Sequence, residues 1–136
     1  MFNIKNILYP INLDSSDISP VVKALEIAQS FNSTVHILYN NNPQAGYRCP
    51  ADHKDDVALK VKEVAHVELL SRLNIVYAVT KGDLGEEIRN YCRKEKIDLV
   101  ITGHKHHNKL YSLFFDTPDE NIIDSVKLPV LVIPKK

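Results

Sequence analysis

The sequence predicts an α/β fold, an open five-stranded parallel sheet with helices on both faces. Two observations carry this reading. Branched apolar runs of strand length alternate along the chain with segments of helical periodicity, and strands separated by helices pair in parallel through right-handed crossovers. The run "IDLVITG" is apolar almost without interruption, which suits a strand covered on both faces rather than one.

The elements follow in order. "IKNILYPI", Ile4 to Ile11, is rich in branched residues and ends at the polar "NLDSSD", so it is the first strand. Ser19 before Pro20 reads as an N-cap with proline at the first helical position. Val21, Val22, Leu25, Ile27, Ala28 and Phe31 then recur near helical spacing. "TVHILY", Thr34 to Tyr39, is the second strand. Residues 40–54, "NNNPQAGYRCPADHK", read as a long irregular segment: a lid, a binding loop or a surface excursion. One helical pattern resumes with Val57, Val61, Val64, Ala65 and Leu69, and "NIVYAVT", Asn74 to Thr80, is the third strand.

Asp83 with Glu86 three residues later has the spacing of a capping box, and Ile88, Tyr91 and Cys92 fall on the inner face of the helix it starts. "IDLVITG" is the fourth strand. Thr117-Pro118-Asp119-Glu120 forms another complete cap, opening a short helix that leads to a fifth strand in "LPVLVIP".

The chain has 136 residues, enough for one domain over 1–136 with a real core and too few for two ordinary ones. Seventeen basic residues balance seventeen acidic ones, so no bulk field draws it to nucleic acid or an anionic membrane. No stretch has the length and apolarity of a bilayer span, and the N-terminal residues lack the pattern of a secretory leader. Cys49 and Cys92 have no redox or zinc spacing, as expected of reduced thiols in a cytoplasmic protein.

In open parallel sheets, ligands bind beyond the carboxyl ends of the strands where strand order reverses. The segments that end there are 10–14, 39–42 and 103 onward. No nucleophile elbow, zinc-protease helix or P-loop lysine motif is present, so enzymatic turnover is not expected. The Asp55-Asp56 and Glu86-Glu87 pairs are sequence neighbours that cannot converge on one bond. His104, His106 and His107, with Cys49 and His53 as further donors, raise a metal hypothesis. Adjacent His106 and His107 point apart in extended chain, and zinc needs about four converging ligands. No metal site is therefore expected, and a metal-responsive protein built on His104, His106 and His107 remains the second alternative function.

"ILYPINLD", "KGDLGEEI", "IDLVITGHKHH" and "LPVLVIP" together resemble the universal stress protein family along essentially the whole chain. "GDLGEEI" followed by "CRKEKIDLVITGH" is especially similar to its UspA-type branch, which is regarded as not binding ATP. The resemblance implies a Rossmann-type, adenine nucleotide alpha hydrolase-like fold with strand order 3-2-1-4-5. It also implies a homodimer joined through antiparallel pairing of the last strand, here Val130, Leu131, Val132 and Ile133. The apolar character of that segment at a sheet edge supports the same interface.

Family members that bind ATP carry G-x2-G-x9-G-[S/T] after the fourth strand. Glycine there lets backbone N–H groups approach phosphate, and the following helix N-terminus attracts negative charge. On this chain Gly103 supplies the first glycine, His106 replaces the second, Asp116 the third, and Thr117 keeps the hydroxyl. Asp116 sets a carboxylate where phosphates would arrive. Two unit charges about 4 Å apart repel by ~4 kcal/mol at an effective dielectric of about 20, nearly a thousandfold in affinity. Thr117 is explained by capping alone, since its T-P-D-E context completes a helix start. Asn12 stands where ATP-binding relatives usually place an aspartate facing the adenine.

Pro10, Ile11, Asn12, Tyr39, Gly103, His106, Asp116 and Thr117 thus form a degenerate nucleotide site. The expectation is a stress-response or regulatory dimer that acts by binding. No cofactor is expected, and ATP or AMP is disfavoured. A weak adenine-nucleotide-binding switch is the first alternative; beside the expectation of no turnover, residual ATPase or autophosphorylation is left open.

Overall fold

The computed structural model describes residues 3–11, 18–41, 54–103 and 127–134. Five strands are β1 (Asn6–Pro10), β2 (Thr34–Asn41), β3 (Asn74–Lys81), β4 (Leu99–Gly103) and β5 (Val130–Ile133). They form one sheet in the order β3-β2-β1-β4-β5, every pairing parallel. The helices among the described residues are α1 (Pro20–Phe31), α2 (Lys54–Val64), α3 (Val67–Ser71) and α4 (Leu84–Lys94).

Strand alternation divides the core in two. On one face Ile7, Tyr9 and Ile11 of β1, with Val35, Ile37 and Tyr39 of β2, pack against Val21, Leu25 and Ala28 of α1 and Val57 and Val61 of α2. On the other, Leu8, Leu38, Ala78 and Val100 pack against Ile88 and Cys92 of α4. The open parallel sheet covered on both faces is the architecture that the alternating segments predict.

Local chemistry sets the ends of α4, but not the start of α1. At α4 the Glu86 N–H donates to Asp83 Oδ2 at 3.1 Å, while Glu86 and Glu87 lie in the first turn and Arg93 and Lys94 in the last. Those charges oppose the helix dipole at both ends. At α1, Pro20 is in the first turn as expected, but Ser19 has helical dihedrals (φ −57, ψ −25) and makes no side-chain capping bond. The opening turn is closed by main chain instead, Val21 N–H to the Ile18 carbonyl at 3.1 Å and Val22 N–H to the Ser19 carbonyl at 3.0 Å. The helix stops at Asn32, whose left-handed φ of 55 lets its N–H reach the carbonyls of Ala28 and Gln29.

Three sequence expectations are corrected. The first strand is shorter than residues 4–11, because Ile4 precedes the ladder and Ile11 follows it. The single helical pattern from Val57 to Leu69 is two helices, broken where His66 turns extended (φ −67, ψ 139). The break lets Ala65, Leu69 and Leu70 face the core while Val64 and Val67 stay exposed. Asn40 and Asn41 are not loop residues: they extend β2 and pair in register with Thr80 and Lys81 of β3.

The packing of α4 should outweigh its cap. Ile88→Ala empties a fully buried position and should lower the unfolding free energy by about 2–5 kcal/mol. Asp83→Ala removes one capping bond and should lower it by about 1 kcal/mol. Urea titrations followed by circular dichroism give the order. An equal or larger loss at Asp83 would mean that α4 is not held by its buried face.

Candidate functional site

The main chain of β1 explains where the sheet opens. Its odd residues face β2 and its even residues face β4. The Ile11 N–H donates to the Leu38 carbonyl at 2.9 Å and the Thr34 N–H to the Lys5 carbonyl at 2.8 Å, whereas the Asp98 N–H donates to the Asn6 carbonyl at 2.8 Å. Register pairs between β1 and β2 continue to Pro10↔Leu38. Between β1 and β4 they stop at Leu8↔Val100. Position 10 is the next donor that the ladder would direct at β4, and proline has no N–H to give. The two strands part there, at the point where strand order reverses, as the rule for open parallel sheets requires.

Around this opening lie Pro10 and Ile11 at the end of β1, both buried, and Gly103 at the end of β4. A Cβ on Gly103 would lie 3.4 Å from Pro20 Cβ and 3.6 Å from the Tyr9 hydroxyl. The first residue of α1 therefore rests directly against the end of β4. Gly103 belongs to a regular strand and does not have positive φ. Tyr39 is buried on the α1 face of β2. Asn12, His106, Asp116 and Thr117 lie outside the described residues, as do Cys49, His53, His104 and His107.

Asn40 is a residue that sequence reasoning missed at this end of the sheet. Its side chain is buried, and both ends of its amide are used. Nδ2 donates to the Gly82 carbonyl at 2.9 Å, and Oδ1 accepts from the Thr80 hydroxyl at 3.0 Å. Asn40 thus ties the end of β2 to the end of β3 and to the turn into α4. Gly82 makes that turn possible with φ 127, a conformation that L side chains rarely adopt. A signal for Asn40 was available: His36, Leu38 and Asn40 keep the period of two begun in "TVHILY".

Chemical groups elsewhere are equally informative. Burial pushes the Cys92 thiol up to about 11, the reverse of what a nucleophilic cysteine needs. Among the described residues no group of three or more His, Cys, Asp or Glu side chains is placed to hold a metal ion. No helix among them is long and apolar enough to cross a membrane. Val130 to Ile133 form the outer strand beyond β4, with Leu131 40% exposed.

Comparison with known proteins agrees with this geometry. The family model described as "Universal stress protein family" matches residues 3–134. Universal stress protein A of Escherichia coli (strain K12) is 26% identical over 138 residues, covering 96% of this chain and 94% of that protein. The solved structure of universal stress protein UspA from Lactobacillus plantarum superposes with a TM-score of 0.64 at 19% identity, covering 96% of this chain and 98% of that one. A universal stress protein crystallised in complex with cAMP superposes at 0.65 with 15% identity, covering 98% and 99% of the two chains.

The two glycines should respond differently to a methyl group. Gly82→Ala meets both a positive φ and Glu87 Oε1 at 3.3 Å, and should destabilise the fold by about 1 kcal/mol or more. Gly103→Ala meets only ordinary contacts at 3.4 Å and beyond, and should shift stability by less than about 1 kcal/mol. Thermal melts of both variants check the contrast. A larger loss at Gly103 would show that the approach of α1 to β4 leaves no room for a side chain.

Proposed function

Because this chain belongs to the universal stress protein family, we propose that it is a UspA-type stress-response or regulatory protein that works by binding rather than turnover. It acts as a single-domain cytoplasmic homodimer. The observation that carries the reading is the replacement of two of the three glycines in the phosphate motif by His106 and Asp116. The opening between β1 and β4 is present, and Asp116 stands in the sequence at the motif's third glycine, where it would set a carboxylate against an arriving phosphate. The charge repulsion there opposes a triphosphate most strongly, and nothing in the described site offers a compensating cation. The similarity to curated universal stress protein A relatives supports the same branch.

The dimer reading rests on β5. This short strand is the sheet's edge, and its outer side carries main-chain groups suited to pairing with a second copy. Leu131 is exposed there and Val130 and Val132 are half-buried, so an antiparallel partner strand would cover apolar surface as well as satisfy the edge. A buried free thiol at Cys92 fits a reducing compartment.

One observation favours a second reading. A structural neighbour was crystallised with cAMP, a nucleotide with a single phosphate, for which repulsion by one carboxylate is smaller than for a triphosphate. On this reading the protein is a weak adenine-nucleotide switch using Pro10, Ile11, Asn12, Gly103, His106 and Thr117.

Calorimetric titration separates the two. Mg-ATP should give no saturable heat with the native chain at micromolar concentration, and micromolar binding would establish the switch. The double variant His106→Gly, Asp116→Gly should bind at least about tenfold more tightly than the native chain. No gain would place the barrier outside the motif. Leu131→Glu should convert a dimer to a monomer in sedimentation velocity, and a native chain that sediments as a monomer at micromolar concentration would end the dimer reading.

A further inference from the structure

Away from the opening, at the other end of the sheet, β2 carries an ionisable side chain in the core. His36 is 5% exposed and is the only buried basic side chain among the described residues. It lies between Leu8 of β1 and Val76 of β3 in the register, on the face covered by α4. Its Nδ1 is 2.8 Å from the Tyr91 hydroxyl on α4, and its Nε2 is 3.1 Å from Asn6 Oδ1 on β1. The two rings meet edge to face, with centroids 5.5 Å apart at 74°.

The hydrogen bonds fix the tautomer. Asn6 Nδ2 is directed at the Lys96 carbonyl, a long contact at 3.5 Å, so Oδ1 is the atom presented to the imidazole. Nε2 therefore carries the hydrogen and donates to Asn6. Nδ1 is left with a lone pair, which accepts from the Tyr91 O–H. Burial first, and the Glu95 carboxylate second, push the Tyr91 hydroxyl up to about 12, so it stays protonated at any ordinary pH. One imidazole in one protonation state thus joins β1, β2 and α4.

We propose that the His36–Tyr91 hydrogen bond is an acid-sensitive latch between the sheet and α4. Proton uptake at Nδ1 turns the acceptor into a donor facing the Tyr91 hydroxyl, and α4 is released. The hydroxyl can offer a lone pair to the new N–H only by turning its own hydrogen elsewhere. With the ring only 5% exposed, the added charge is held largely away from water.

The groups around the latch set its direction. From α4 come Tyr91 and Cys92; from its C-cap, Glu95; from β1, the neutral Asn6; from β3, the apolar Val76; and from the turn after α4, Lys96 and Asp98. The Asp98 carboxylate is engaged by the N–H groups of Lys5 and Asn6 at 2.9 and 3.0 Å. Burial is the larger influence on His36 and lowers its pKa below the ordinary value, while Glu95 opposes it by favouring the charged ring. The closed latch therefore binds a proton less readily than the opened one. Its stabilisation is whole above the ordinary histidine pKa of about 6.5 and is lost as pH falls from there toward the lower folded value.

Hydrogen exchange read by mass spectrometry, corrected for the intrinsic pH dependence of exchange, tests this on the full chain. Protection of residues 84–94 should fall on acidification from pH 7.5 to 5, approaching about tenfold per pH unit below pH ~6.5, ahead of any loss in β1 and β2. His36→Gln keeps a donor and an acceptor without titrating, and should remove that pH dependence. Glu95→Gln, a change at the rim that leaves the core intact, removes the group that favours the charged ring, so the loss should begin at the same pH, run further down and be larger at pH 5 than in the native chain. The latch is refuted by α4 protection that follows the same pH course in native and His36→Gln chains. It is refuted equally, should His36→Gln fail to fold, by a loss of α4 protection at pH 5 in Glu95→Gln that is equal to or smaller than the native loss.

Discussion

A central strand in a covered parallel sheet must satisfy hydrogen bonds on both edges while burying side chains on both faces. β1 is under that constraint, and the other elements are arranged around it. Its odd residues give their peptide groups to β2 and their side chains to α1; its even residues turn toward β4 and α4. With every donor from Asn6 to Tyr9 committed, Pro10 is the first position at which the ladder to β4 lacks one. The opening at the carboxyl end thus lies where strand order reverses, and Pro10 offers no N–H that could extend the ladder across it.

The strands were legible because burial on both faces demands near-continuous apolar runs, as in Leu99 to Ile101 and Val35 to Leu38. The cap at Asp83 was legible because its partner is three residues away. What depended on distant partners was not. Asn40 sits among asparagines and reads as loop, yet its amide is held by Thr80 and Gly82, 40 and 42 residues further along. His36 interrupts an apolar run without explanation until Tyr91 and Asn6, 55 and 30 residues away, are brought beside it. The helix break at His66 is set by which residues must reach the core, not by any breaker in the sequence.

The same distinction divides the candidate site. Pro10, Ile11 and Gly103 were found from segment ends, because topology alone determines where a parallel sheet can admit a ligand. The chemistry of the motif was found from residue substitutions, since glycine and aspartate differ in what a phosphate meets. Neither line of reasoning reaches the network at the opposite end of the sheet. There His36 joins a helix to two strands through the hydrogen bonds of one ring.

Pro10 has a further implication for how such a scaffold can change through descent. A cleft maintained by liganding side chains closes once those side chains are replaced. A gap produced by a missing amide hydrogen persists through any exchange of its surroundings, because repacking cannot supply the absent proton. The fold can therefore shed one specificity and take up another without ever having to reopen a door.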